Sequence, residues 1–242
     1  MSLRSVLACA LGLSALLPIA ASTGVGSQAP LPLPITPALR EKIDRLARQA
    51  LAEQHLAGFS LAIAHDGRII YTQGYGYRIV AKQLPATPNT IYNIGSITKQ
   101  FTATAVMLLQ QDGKLNVEDP VARFIPGLPW GRQVTVRQLL NHTSGVPDYL
   151  SIVDNNSLTM PKILAALRKT HLKFAPGSIY QYSNSNYILL GTIVSKASGI
   201  PYDDFLRRRI LQPFGLEATS IGTTPLSLPD GAIGYTVVKG HT

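Results

Sequence analysis

Cysteine is almost absent from this chain of 242 residues: the single one, Cys9, lies inside an apolar N-terminal stretch. If that stretch is removed, neither a disulfide framework nor a catalytic thiol is available. The five histidines, His55, His65, His142, His171 and His241, are scattered without metal-ligand spacing, which argues against a zinc centre and leaves no metal site to expect. No Gly-x-Ser-x-Gly elbow occurs, so an α/β-hydrolase is disfavoured. A dinucleotide fingerprint is missing as well. Gly74-Tyr75-Gly76 is followed by Ile79 where that fingerprint needs glycine, so those glycines read as shaping a strand end. No cofactor is therefore expected. Internal repeats and low-complexity runs are also lacking.

Acidic side chains are few, 13 against 22 basic ones, for a formal net charge of +9. Such a surplus raises the question of a nucleic-acid partner. Its placement argues against one. Arg207-Arg208-Arg209 closes a short helical pattern with Asp203-Asp204 in its first turn, and Arg168-Lys169 ends the pattern before it, so the charges complement helix dipoles. Attraction to anionic cell-envelope polymers is compatible with the same charge.

What is present is a set of groups for acyl transfer without histidine. Ser96-Ile97-Thr98-Lys99 begins a run in which Ile97, Phe101, Ala105 and Leu108 recur with helical spacing, and Asp112-Gly113 supplies a stop. The spacing predicts that Ser96 opens a helix and that Lys99, three residues on, shares its face. A hydroxyl must lose its proton to attack a carbonyl, and the free N–H groups of a helix start suit the charge that develops on the attacked oxygen. The competing reading of Lys99 is a solvated first-turn lysine, although a cation is disfavoured there by ~0.3–1 kcal/mol. Further on, Tyr182-Ser183-Asn184 sits in a polar loop after Ala175-Pro176-Gly177-Ser178 and before another helical pattern. A tyrosine beside an ammonium has its phenolate stabilised, which fits it to act as a base. Asn184 offers an amide that both donates and accepts. Taken alone, the Tyr-x-Asn triplet also reads as a turn with an ordinary half-buried tyrosine. His142, within Asn141-His142-Thr143-Ser144-Gly145, has no acidic orienter nearby in sequence and reads as a loop-stabilising residue.

In joint order these stretches resemble the class C β-lactamase and penicillin-binding-protein superfamily, in its branch of β-lactamase-related serine hydrolases. The resemblance is carried by Tyr71 to Gly76, Ile94 to Lys99, Leu139 to Gly145, Phe174 to Gly177, Tyr182-Ser183-Asn184 to Gly191, and Pro213-Phe214-Gly215-Leu216. It implies that Ser96 is the acylated nucleophile, that Lys99 and Tyr182 share proton transfer, and that Asn184 contacts substrate. It implies no cofactor, and substrates among β-lactams, D-alanyl peptides of the peptidoglycan type and esters. Readings from other classes are a penicillin-recognising module with negligible turnover and a non-catalytic remnant. The family carries a third motif, Lys-Thr-Gly or His-x-Gly, on a late strand. Gly240-His241-Thr242 lies much closer to Asn184 than the family places that motif, so the chain is expected to be truncated, with the C-terminal strands missing.

The predicted organisation is a signal peptide over 1–22, a flexible Gly- and Pro-rich lead-in over 23–35, and one incomplete hydrolase domain over 36–242. Arg4, the apolar residues 6–20 and Ala20-Ala21-Ser22 form the export signal, implying a periplasmic or secreted protein with no stable membrane span after cleavage. The competing reading is a retained anchor. Thr36-Pro37 starts a helix expected to stop near Gly58, and 59–64 and 68–77 read as strands joined by an Asp66-Gly67 turn. Helices are expected near 136–140, 161–168, 186–198 and 202–210. Strands first and helices afterwards predict an α+β fold: an antiparallel sheet with flanking helices plus a mainly helical subdomain.

Overall fold

The computed structural model describes residues 35–154, 158–222 and 227–236. The expected signal over 1–22, nearly all of the lead-in and Gly240-His241-Thr242 lie outside the described residues. Helix α1 spans Pro37–Glu53, with Thr36 Oγ1 accepting the Leu39 N–H at 3.2 Å and proline in its first turn, as the Thr-Pro signal requires. It ends earlier than the expected stop near Gly58. His55 takes the left-handed position usually held by glycine (φ 53°), and the His55 and Leu56 N–H groups close back onto Ala52 and Leu51 carbonyls. A stop signal sought in glycine alone passes over such a residue.

Strands β1 (Gly58–His65) and β2 (Arg68–Ile79) form the expected hairpin. Asp66 and Gly67 both have positive φ, 48° and 71°, which is the conformation a two-residue turn needs to match strand twist. Gly76 also has positive φ, and a Cβ there would fall 2.3 Å from the Ala57 carbonyl oxygen, so close backbone approach accounts for that glycine. A short β3 (Leu84–Pro85), not anticipated, pairs with the end of β2 and gives an antiparallel sheet of order β1-β2-β3. Two residues containing a proline carry little strand signal. Residues 227–236 return to this region, where Ile91 bridges to Gly231 and Arg78 bonds the Gly231 carbonyl.

Tyr71 and Tyr75, four residues apart on one face of β2, are buried against α1, and their hydroxyls bond Asp44 Oδ1 at 2.7 and 2.6 Å. These hydrogen bonds, Tyr75's foremost and then Tyr71's, hold the Asp44 carboxyl below its ordinary range. A carboxylate so depressed stabilises the fold fully above the ordinary aspartate value of 3.8 and loses that contribution as pH falls through the lower folded-state value. The stability difference between the native chain and an Asp44→Asn variant, measured by urea unfolding, should therefore shrink on acidification below that pH. A pH-independent difference would sink this account.

The helical part follows the predicted spans closely: α2 (Thr98–Gln111), α3 (Val136–Leu140), α4 (Met160–Leu167), α5 (Asn184–Ser198) and α6 (Tyr202–Leu206). Helix α3 carries a complete capping box between Thr135 and Gln138. After α6 the chain unwinds into a π-helical turn over Arg207–Leu211, where one continuous helix was expected. Arg209 there reaches across to Asp112, the C-cap of α2, with two hydrogen bonds, and Arg207 bonds Asp204. Two of the three arginines thus close the helix ends on carboxylates.

Helices α2 and α5 cross in the core. Ala105, Val106 and Leu109 meet Leu189, Leu190, Ile193 and Val194, all essentially inaccessible to solvent. At roughly 1.5–3 kcal/mol for each large apolar side chain, this contact fixes the mutual placement of the two helix starts. Those starts carry the residues discussed next.

Candidate active site

Ser96 sits in a 3₁₀ turn, Gly95–Ile97, that runs directly into α2. The sequence placed it at the opening of an α-helix; the turn and the start of α2 together make one helical turn from Ser96 to Lys99, so the two side chains share a face. Lys99 Nζ accordingly donates to Ser96 Oγ at 3.0 Å. Asn93 Oδ1 accepts the Gly95 N–H at 2.9 Å and anchors the turn. The start of the helix leaves the Ser96 N–H outside the intrahelical ladder.

From the start of α5 come the other two residues singled out in the sequence. Tyr182 shares a 2.8 Å hydrogen bond with Ser96 Oγ, and Asn184, the first residue of α5, accepts from Lys99 Nζ on Oδ1 at 3.0 Å. The lysine also lies 4.8 Å from the centroid of the Tyr182 ring. The interaction with Lys99, and secondarily the hydrogen bond with Ser96, lowers the Tyr182 phenol from its ordinary value. All four residues, Ser96, Lys99, Tyr182 and Asn184, therefore meet in one cluster.

His142 holds the tyrosine in place. Its ring stacks on that of Tyr182 at 4.5 Å, its carbonyl accepts the Gln181 N–H, and its Nδ1 accepts the Ser183 N–H at 3.2 Å. Asn186 Nδ2 approaches the same nitrogen at 3.1 Å, so Nδ1 is an acceptor and the ring proton of the neutral imidazole belongs on Nε2. Burial, and then the nearby Lys99 charge, lower its pKa and keep it neutral. The loop-stabilising reading of His142 agrees with this geometry.

One participant was missed. Asp148 Oδ2 accepts both the backbone N–H and the Nδ2–H of Asn184, each at 2.9 Å. In the sequence it has only the signal of a turn residue after proline, and it does cap the 3₁₀ turn Tyr149–Ser151 through a bond from the Leu150 N–H.

A cleft of about 770 Å³ opens in front of the cluster, lined by Ser96, Lys99, Tyr149, Leu150, Asn184 and Tyr187 among others. Its size suits a small-molecule or peptide-end ligand. Among the described residues no group of three or more His, Cys, Asp or Glu side chains is placed to hold a metal ion, and no helix is long and apolar enough to cross a membrane. The arrangement is a hydroxyl with two proton-exchanging partners, at the edge of a cleft and beside the N-terminus of a helix. It is suited to attack on a carbonyl.

Known proteins resemble this chain in sequence and in fold. The family model described as Beta-lactamase matches residues 43–240. Penicillin-binding protein 4* of Bacillus subtilis (strain 168) is 36% identical over 186 residues, covering 74% of this chain and 41% of that protein. The octameric penicillin-binding protein homologue from Pyrococcus abyssi superposes with a TM-score of 0.74 at 35% identity, over 84% of this chain and 49% of the other. A class C beta-lactamase superposes with a TM-score of 0.72 at 26% identity, over 81% and 54%. The chain spans about two fifths of the length of the curated relatives it matches.

Proposed function

The chain belongs to the beta-lactamase family, and on that footing we propose that it is a serine hydrolase that forms an acyl-enzyme on Ser96. The observation that carries this reading is the position of one hydroxyl, Ser96 Oγ, 2.8 Å from a tyrosine oxygen and 3.0 Å from a lysine nitrogen. Tyr182, as phenolate, takes the Ser96 proton while Oγ bonds to the substrate carbonyl carbon. The Ser96 N–H, free at the helix start, is available to donate to the oxygen that becomes negative. Collapse of the tetrahedral intermediate breaks the bond to the leaving group, which receives from Tyr182 the proton taken from Ser96, with Lys99 holding the phenolate's charge in check. Water then repeats the sequence on the ester: Tyr182 accepts its proton, the carbonyl–Oγ bond breaks, and Tyr182 passes that proton to Oγ, which restores the Ser96 hydroxyl and the phenolate. Asn184 lines the cleft where the substrate's acyl side lies.

Three carbonyl classes fit this chemistry: a β-lactam, a D-alanyl peptide and a simple ester. The relatives named as penicillin-binding support penicillin as the first probe. On exposure to a labelled penicillin, a D-alanyl-D-alanine peptide and a p-nitrophenyl ester, intact mass should show an adduct on Ser96 from at least one of them. A transient adduct with turnover supports the hydrolase. A persistent one turns the assignment into a penicillin-recognising module, and no mass gain from any of the three overturns it. The export signal over 1–22 extends the proposal to a periplasmic or secreted enzyme. The same spectra, taken on envelope-purified protein, should then show a chain starting near Ser22 or Thr23, and material retaining Met1 would count against export.

A further inference from the structure

We propose that Asp148 is a positioning residue that holds the Asn184 amide with its oxygen toward Lys99, and so keeps the lysine on Ser96. The proposal rests on the acyl-enzyme reading above. An asparagine amide has two orientations related by a half turn, and its neighbours decide between them. Asp148 Oδ2 receives two donors of Asn184 at once, the main-chain N–H and Nδ2–H, both at 2.9 Å. An ionised carboxylate only accepts, so the half-turned amide would set oxygen against oxygen. The remaining orientation points Asn184 Oδ1 at Lys99 Nζ, 3.0 Å away, and the same nitrogen bonds Ser96 Oγ at 3.0 Å. Asp148 is itself kept from rotating, because its other oxygen accepts the Leu150 N–H at 3.0 Å.

The isosteric amide cannot replace this carboxylate. Both oxygens of Asp148 face donors, so in Asp148→Asn the NH₂ group must confront either the Leu150 N–H or the donors of Asn184. Where the NH₂ faces Asn184, its side-chain clash is relieved by turning the Asn184 amide, which removes the acceptor of Lys99. A second consequence is electrostatic. Tyr182 is faced by Lys99, Ser96, the neutral His142 ring and, at longer range, Asp148, whose charge opposes the phenolate. Loss of that charge moves the acid limb of the pH–rate profile to lower pH, an effect that loss of a turn cap alone would not produce.

The test is a double-mutant cycle on the rate of acylation by whichever probe labels Ser96. Asp148→Asn should slow acylation by roughly 10- to 100-fold, as expected for one charge-assisted hydrogen bond acting through a neighbour. On an Asn184→Ala background the same substitution should have little further effect, and its acid limb should lie lower. A full-sized effect that persists without Asn184, or a folded Asp148→Asn chain that acylates at the native rate, would overturn the proposal. If Asp148→Asn does not fold, Asp148→Glu, which displaces both oxygens by one methylene but keeps the charge, enters the same cycle with the same rate criteria and an unshifted acid limb. A readout free of activity separates this idea from the acyl-enzyme reading. The side-chain NH₂ signals of Asn184 in a ¹⁵N spectrum, identified by their loss in Asn184→Ala, should exchange slowly with water in the native chain and rapidly in the Asp148 variant. Equal exchange in the two would sink the positioning role even if no probe ever labelled Ser96.

Discussion

Ser96→Ala should yield a folded protein that takes up no acyl group, with turnover of any substrate lowered by roughly 10⁶-fold, the scale seen when a serine nucleophile is removed. The loss is this large because no other atom in the cleft combines reach with activation. Tyr182 and Lys99 meet at Oγ, and with that oxygen gone neither has a nucleophile to act on, although Lys99 keeps its bond to Asn184. Ser96 is exposed, and its deletion removes two solvent-accessible hydrogen bonds, so the melting temperature should stay close to that of the native chain, within ±0.5 kcal/mol in free-energy terms. Intact mass after exposure to penicillin and to a p-nitrophenyl ester is the measurement. Native-level turnover by Ser96→Ala would mean that the nucleophile lies elsewhere.

Tyr182→Phe is expected to slow acylation by ~10²–10⁴-fold, the usual contribution of a positioned acid–base group. The substitution retains the ring that stacks on His142 at 4.5 Å and deletes only the hydroxyl that meets Ser96, so substrate affinity should change little. Its pH dependence identifies the role. Lys99, and then Ser96, lower the phenol from its ordinary value of 10.0, and the deprotonated form is the base. The native rate should therefore climb with pH up to that lowered value and level off above it. In Tyr182→Phe the limb should vanish or move to a different group. If the variant kept both the native rate and the native limb, Lys99 would be the sole proton acceptor and the tyrosine a positioning group.

Much of the architecture was legible because it rests on short-range rules. Thr36-Pro37 and Asp66-Gly67 each set a local boundary through bonds among residues a few positions apart. Where the reading fell short, a residue had taken a conformation its type rarely adopts, or an element was too small to leave a pattern. His55 in the left-handed region ended α1 before Gly58, and the two residues of β3 paired with β2 without a strand signature. The π turn after α6 belongs with these, since Arg209 reaches Asp112 only because α2 ends beside it.

The same division runs through the site. Ser96 and Lys99 could be paired from their spacing, because one helical turn brings them together whatever else the chain does. Tyr182 and Asn184 could be singled out by type and motif, but their approach to Ser96 depends on α2 crossing α5 in a core of Leu109, Leu189, Ile193 and their neighbours. His142 beneath the tyrosine and Asp148 behind Asn184 were decided wholly by the tertiary fold. A hydrogen bond between residues distant in the chain has no period and no local partner to betray it. It exists because packing brings a carboxylate, an amide and an ammonium to within 3.0 Å of one another in sequence-blind succession.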